Sequence, residues 1–149
     1  MALFKFLKGR PKLKVSRMAD FWSLKDHNIP ALPGVYLLVA KPSVRFIYPT
    51  GMSPVYYIGQ SKSLRHRLRS HMKWHTEARD SRRYFLYEPR HEYGRIYGAR
   101  YCFIRTWQGV SGKNLEDIVL ARFAKRYHSF PVANGAGAWK RIEKEFDRV

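Results

Sequence analysis

The seven residues Gly34-Val35-Tyr36-Leu37-Leu38-Val39-Ala40 hold no charged position and are bounded by Pro33 on one side and Lys41-Pro42 on the other. An apolar run of that length has no face to give to water, so it predicts a strand covered on both sides. A second run, Val55-Tyr56-Tyr57-Ile58, meets Gly59 and reads as another short buried strand stopped by a turn. Ala99 to Trp107 alternates roughly between apolar and polar residues, the pattern of a third strand. Between the first two runs, Pro42, Pro49, Gly51 and Pro54 surround Val44 to Tyr48, so residues 41–54 are expected to be a long hairpin connection with a strand extension inside it.

The helices follow from period and caps. After Gly59, Ser61 or Ser63 is placed to cap a helix on which Leu64, Leu68 and Met72 form one apolar stripe. Arg67 and His71, also four residues apart, share a different stripe. A later helix is predicted from Asn114, with Asp117 three residues on as in a capping box and Leu115, Ile118, Val119, Phe123 and Tyr127 as its buried face. A short amphipathic helix over 20–28, a turn at 131–135 and a charged last helix over 138–146 complete the expected elements. Thr76 to Gly98 reads as irregular. The sum is one α/β domain of the α+β sandwich kind, with a small three-stranded, mainly antiparallel sheet flanked by helices. Residues 1–20 form a basic arm, flexible or partly helical, and residues 21–149 form the single domain, with insertions at about 41–54 and 76–98.

Charge narrows the partner. The 149 residues carry 29 Lys+Arg against 11 Asp+Glu, a formal +18, which fits a protein that binds a polyanion. No apolar run approaches the roughly 20 residues of a membrane-spanning helix, so nucleic acid is the expected partner. One cysteine, Cys102, excludes an internal disulfide and a Cys-rich zinc site and fits a reducing, cytoplasmic setting. The first residues are interrupted too early by Lys5, Lys8 and Gly9-Arg10-Pro11 to be a secretory signal, while an organelle-targeting segment stays open. Arg79, Arg82, Arg83, Arg90 and Arg95 interleave with Tyr84, Phe85, Tyr87, Tyr93 and Tyr97; cations contact phosphates and rings stack on bases, although half of these aromatics would serve equally as core. Lys62, Arg65, Arg69, Arg82, Arg83, Tyr84 and Tyr87 are the expected nucleic-acid contacts.

The second strand delivers a tyrosine to a helix N-terminus, with Arg67 and His71 one turn apart beyond it, a cradle suited to a phosphodiester. Gly34-Val35-Tyr36 and Tyr57-Ile58-Gly59 resemble the two motifs of the GIY-YIG nuclease family, with valine for isoleucine in the first. Ser61, Leu64, Arg67, Leu68 and His71 are similar to that family's helix pattern, Glu116 resembles its single metal-binding glutamate, and Asn134 resembles its final asparagine. The likeness covers about Pro33 to Gly135. Three departures accompany it: Tyr36 and Tyr57 are 21 positions apart, farther than is common in the family; Ser63 replaces an acidic residue or asparagine; and 76–98 is long. The resemblance implies an endonuclease that hydrolyses DNA by one-step attack of water, with Tyr36 as base, Tyr57 as its positioning partner, Arg67 on phosphate, and His71 and Asn134 in support. Glu116 would hold one Mg²⁺ or Mn²⁺ ion, and Gly34 and Gly59 would serve backbone shape.

Each role has a chemical ground and a bland counterpart. Glu116 offers the oxygen a hard cation needs, or merely a first-turn acid that favours the helix dipole. Arg67 presents a planar fork to phosphate. Neither tyrosine is a base at its reference pKa of about 10, so nearby cations would have to depress one of them. A zinc site built on His66, His71 and His75 is disfavoured, because no glutamate follows the first histidine of the His71/His75 pair as in metalloproteases. The competing function is a non-catalytic nucleic-acid-binding module, which needs charge and aromatics but no particular tyrosine pair or lone acid.

Overall fold

The computed structural model describes residues 2–21, 28–80 and 88–134. It is an α+β protein whose main sheet is antiparallel and four-stranded, in the order β1 (Ala19–Asp20), β6 (Arg100–Arg105), β2 (Gly34–Val39) and β5 (Val55–Ser61). The sheet therefore has one strand more than the sequence suggested, since the two residues of β1 extend it beside β6. A separate hairpin, β3 (Phe46–Tyr48) and β4 (Gly51–Ser53), fills the connection between β2 and β5.

Strand β2 is buried along its whole length, because β5 and β6 flank it and helices cover both faces. Val35, Leu37 and Val39 join Cys102, Ile104, Leu115, Val119 and Phe123 in one layer, where α3 (Gly112–Tyr127) packs. Tyr36, Leu38 and Ala40 point the other way, into a layer with Leu64 and Leu68 of α1 (Leu64–Asp80) and Tyr93 and Tyr97 of α2 (Pro89–Tyr97). Alternating side chains of one central strand thus feed two cores.

Helix α1 follows the expected stripe: Leu64 and Leu68 are fully buried and Met72 is half-buried. Ser63 Oγ, just before α1, accepts from His66 N at 3.4 Å, Ser61 Oγ accepts from Ser63 N at 3.1 Å, and Leu64 N and Arg65 N donate to the carbonyls of Leu32 and Pro30. The helix start is held by the chain entering β2 as well as by a cap. Much of the segment expected to be irregular is helical: α1 continues to Asp80, and α2 begins with Pro89 after an extended Glu88. Proline suits a first helical position because its missing N–H would have no partner there.

Helix α3 starts two residues before the expected point. Its cap is Ser111, whose hydroxyl accepts from Asn114 N at 3.1 Å, so Asn114 is a helical residue and not the cap. The basic N-terminal segment is partly helical, and it is packed against the domain. Phe6 and Leu7 of the 3-10 segment Ala2–Leu7 are buried against α3, Val15 bridges to Ile104, and Arg122 donates to the carbonyls of Leu7 at 2.6 Å and Pro11 at 2.8 Å. Among the described residues no helix is long and apolar enough to cross a membrane. The helices expected over 20–28 and 138–146 lie largely or wholly outside the described residues.

Candidate active site

Local register decides where the tyrosines point. Strand β5 pairs Ile58 with Leu37, Tyr57 with Leu38 and Val55 with Val39, which leaves Tyr56 as an extra residue. An inserted residue resets the alternation of a strand. Tyr56 and Tyr57 consequently both side with the α1 layer, while Val55 and Ile58 join the α3 layer. Tyr36 faces the α1 layer too, its ring centroid 6.0 Å from that of Tyr57. Tyr36 lies opposite Gly59, where an added Cβ would stand 2.5 Å from Tyr36 Oη and 2.8 Å from Tyr57 Cε2. Gly59 does not end the strand, which runs on to Ser61; it is the gap into which the Tyr36 phenol fits. Gly34 has an equivalent reason, since a Cβ there would meet Ile104 O at 2.5 Å and Leu64 Cδ1 at 2.6 Å.

One turn after Arg67, His71 is buried and its Nε2 lies 2.8 Å from Tyr36 Oη. Burial foremost, and then the neighbouring Tyr57, push the Tyr36 phenol well above its ordinary pKa; Arg67 and Arg90 pull it down, but less. The two guanidiniums alone do not offset desolvation; the expected phenolate rested on metal charge together with Arg67. Burial, then His75, His91, Arg90 and Arg67, lower His71 to about 2. At neutral pH the pair is an un-ionised phenol beside a neutral imidazole.

His71, of this pair, lines a cavity of about 300 Å³ together with Arg67, Ser70, Trp74, Glu88, Arg90 and His91. Arg67 is exposed at its rim. The Arg90 guanidinium lies 5.4 Å from the Tyr57 ring centroid and pairs with Glu88. Two planar guanidiniums, a histidine and a serine around a solvent-open pocket suit an anion of phosphate size.

Asn134 is placed by its own side chain: Oδ1 accepts from Ile58 N at 2.9 Å and Nδ2 donates to Ile58 O at 2.8 Å. It satisfies the free edge of β5 next to Tyr57 as a further strand would. Glu116 sits in the opposite layer, half-buried in the second turn of α3 and not in the first. Gly112, one turn earlier on that stripe, approaches β5 so closely that a Cβ would be 2.9 Å from Gln60 Oε1. The structure therefore gathers Tyr36, Tyr57, Arg67 and His71 on one face, with Asn134 at the strand edge and Glu116 on the α3 side of β5.

Of the expected nucleic-acid contacts, Lys62 and Arg69 are exposed on the α1 side. Arg65 is half-buried, with Nε donating to Ile29 O at 2.8 Å, so part of its role is structural. Arg82, Arg83, Tyr84 and Tyr87 lie outside the described residues. Tyr93 and Tyr97 are half-buried, packed against the core, and meet the Phe46 ring edge-on at 5.5 and 5.2 Å.

His91 escaped the sequence reading, while Arg90 was named only among the interleaved arginines and His75 only in the disfavoured zinc set. His75 Nδ1 lies 2.7 Å from His71 O and 3.2 Å from His91 Nδ1, and its Nε2 lies 3.4 Å from Tyr56 Oη. The Glu88-Pro89 pair was the available signal for α2, the helix that supplies Arg90 and His91. Against protein-family models, curated proteins and solved structures, the chain has no match.

Proposed function

We propose that this protein is a divalent-metal-dependent endonuclease that hydrolyses DNA phosphodiesters, with its centre at Tyr36 and a GIY-YIG-like arrangement of the fold. The observation that carries this reading is the 2.8 Å contact between Tyr36 Oη and His71 Nε2 at the edge of a cavity rimmed by Arg67 and Arg90. The formal charge of +18 supplies the long-range attraction to a polyanion.

In this reading Arg67 and Arg90 hold the non-bridging oxygens of the scissile phosphate, and preorganised cations count most where charge builds in the transition state. The attacking water gives a proton to Tyr36 Oη as the phenol passes its own to His71 Nε2. The water oxygen bonds to phosphorus while the bond to the leaving oxygen breaks, and that oxygen takes a proton from solvent. The relay removes the need for a free phenolate, which the burial of Tyr36 disfavours. An incoming phosphodiester adds negative charge to a pocket where Glu88 is already paired with Arg90, which raises the proton affinity of His71. Asn134 keeps the edge of β5, and so Tyr57, in place.

A hard cation suits Glu116 by donor chemistry, since a half-buried carboxylate beside β5 is an oxygen ligand of the right kind. One Mg²⁺ or Mn²⁺ ion, if held there, would supply positive charge on the α3 side of β5, in the layer opposite the pocket of Arg67 and Arg90.

The test is cleavage of single-stranded, duplex and branched DNA with Mg²⁺ or Mn²⁺ by wild-type protein, Glu116→Gln and Arg67→Ala. Loss of cleavage in both folded variants with DNA binding retained is the expected result. Full metal-dependent cleavage by both would overturn the site assignment, and binding without cleavage by wild-type protein would favour the non-catalytic nucleic-acid-binding module.

A further inference from the structure

Beneath the candidate active site, His71 and His75 of α1 meet His91 of α2, all three buried, with one ring nitrogen of each within 4.8 Å of those of the others. Each pairing so far described leaves a nitrogen over. His71 uses Nε2 on Tyr36, and its Nδ1 is buried without a hydrogen-bond partner. His75 and His91 face each other through Nδ1 at 3.2 Å. Two neutral imidazole nitrogens at that distance need a proton between them, and the one on His75 Nδ1 is already directed at His71 O, 2.7 Å away.

We propose that His71, His75 and His91 form a transition-metal site for an ion of the Zn²⁺ or Co²⁺ class, separate from the oxygen-ligand site at Glu116. Zn–N bonds of 2.0–2.1 Å in a tetrahedron put ligand nitrogens about 3.3 Å apart, which the His75–His91 pair already matches. His71 Nδ1 supplies the third ligand and loses its orphan status. When His75 binds through Nδ1, its ring proton resides on Nε2, where Tyr56 Oη is the neighbour that accepts it. Three neutral nitrogens select a borderline metal over Mg²⁺. Burial, and for His71 and His91 their fellow histidines next, hold all three below the usual imidazole pKa, which keeps the ligating form at neutral pH.

The fourth position opens toward the cavity, where His71 and His91 line the wall and Glu88 is the acid present. Arg67 and Arg90 oppose a cation there, which favours a site whose ligands are fixed by packing. Gly94 does part of that fixing: a Cβ at this position would stand 1.9 Å from His75 Cδ2, so α2 is held directly against the His75 ring. A metal on His71 Nδ1 would fix the His71 proton on Nε2 as a donor to Tyr36 Oη, so the metal-loaded site and the relay that needs Nε2 as acceptor are alternative states of His71. The proposal stands on the histidine geometry and does not depend on nuclease activity.

The experiment uses the full chain, stripped with EDTA and titrated with Co²⁺, then reconstituted with Zn²⁺ and assayed for metal content. One equivalent of Co²⁺ should give the visible ligand-field bands of a tetrahedral nitrogen site, and one Zn²⁺ per chain should be retained. His91→Gln should weaken binding at least about a hundredfold, more than loss of an outer partner does, while His66→Gln and Glu116→Gln should leave it unchanged. In the wild-type protein, ¹⁵N shifts should report metal on His71 Nδ1, a readout that survives if His91→Gln fails to fold. Absence of the bands in wild-type protein, or bands that follow His66 or Glu116, would overturn the site. Metal binding without DNA cleavage would leave it standing and count against the nuclease alone.

Discussion

Gly59→Ala places one methyl group where the structure has least room for it. The added Cβ would sit 2.5 Å from Tyr36 Oη, 2.6 Å from Tyr36 Cζ and 2.8 Å from Tyr57 Cε2, against ordinary carbon contacts of about 3.5–4.0 Å. The phenol must retreat by about 1 Å, yet Tyr36 is buried and held to His71 at 2.8 Å. Overpacking of a filled core costs about 1–3 kcal/mol, and a weakened buried hydrogen bond adds about 1 kcal/mol. The total of about 2–4 kcal/mol corresponds to a fall in Tm of roughly 6–12 °C for a domain of this size. A calorimetric scan reads the stability, and single-turnover DNA cleavage reads the site, where a misplacement of about 1 Å is worth about a hundredfold in rate. Gly109→Ala is the control: its φ is +85 with nothing within 4 Å, so backbone strain is the whole cost. If Gly59→Ala melts within 1 °C of wild type, taking about 1 °C as scan precision against the predicted shift, the close fit of Tyr36 over Gly59 is refuted.

Two further outcomes are expected. Removal of residues 1–17 should destabilise the domain and not merely reduce its charge, because Phe6 and Leu7 leave the core at about 1.5–3 kcal/mol each; an unchanged melting curve would restore the idea of a free arm. In metal-free buffer the protein should lose stability as pH falls, since His71, His75 and His91 have folded pKa values near 2, 4 and 3 against 6.5 unfolded. The unfolded state then binds more protons, so the loss begins near pH 6.5 and continues to about pH 4 for His75, 3 for His91 and 2 for His71. By pH 5 it reaches up to about 2 kcal/mol per histidine, which chemical denaturation at pH 7.5 and 5 would detect, and equal stability at both would contradict the burial of the trio.

The central strand was legible because Gly34 to Ala40 has no solvent-tolerant residue, and the stripes of α1 and α3 were legible from Leu64/Leu68 and Leu115/Val119/Phe123. The partnership of Tyr36 with His71 joins residues 35 positions apart, and only the family resemblance put them in one site. The orientation of Tyr57 depends on the bulge at Tyr56, a matter of cross-strand register that no local pattern encodes. Helix α2 was hidden by its mixed arginine and tyrosine content, although Pro89 marks its start. The cap of α3 was misplaced because Ser111 and Asn114 are both good capping residues, and tertiary packing chose the earlier one. The N-terminal segment looked like a solvated arm because its lysines dominate the composition; Phe6, Leu7 and Val15 fix it to the domain.

The most direct measurement is the single-turnover rate of DNA cleavage by Tyr36→Phe beside wild type, with Mg²⁺ or Mn²⁺ and protein in excess. The substitution removes only the hydroxyl that contacts His71 Nε2 at 2.8 Å and keeps the ring that packs in the α1 layer. Wild-type protein should cleave, and Tyr36→Phe should be slower by a factor of about 10²–10⁴, the usual worth of a positioned acid or base, with DNA affinity unchanged. A Tyr36→Phe rate equal to that of wild type would contradict the account.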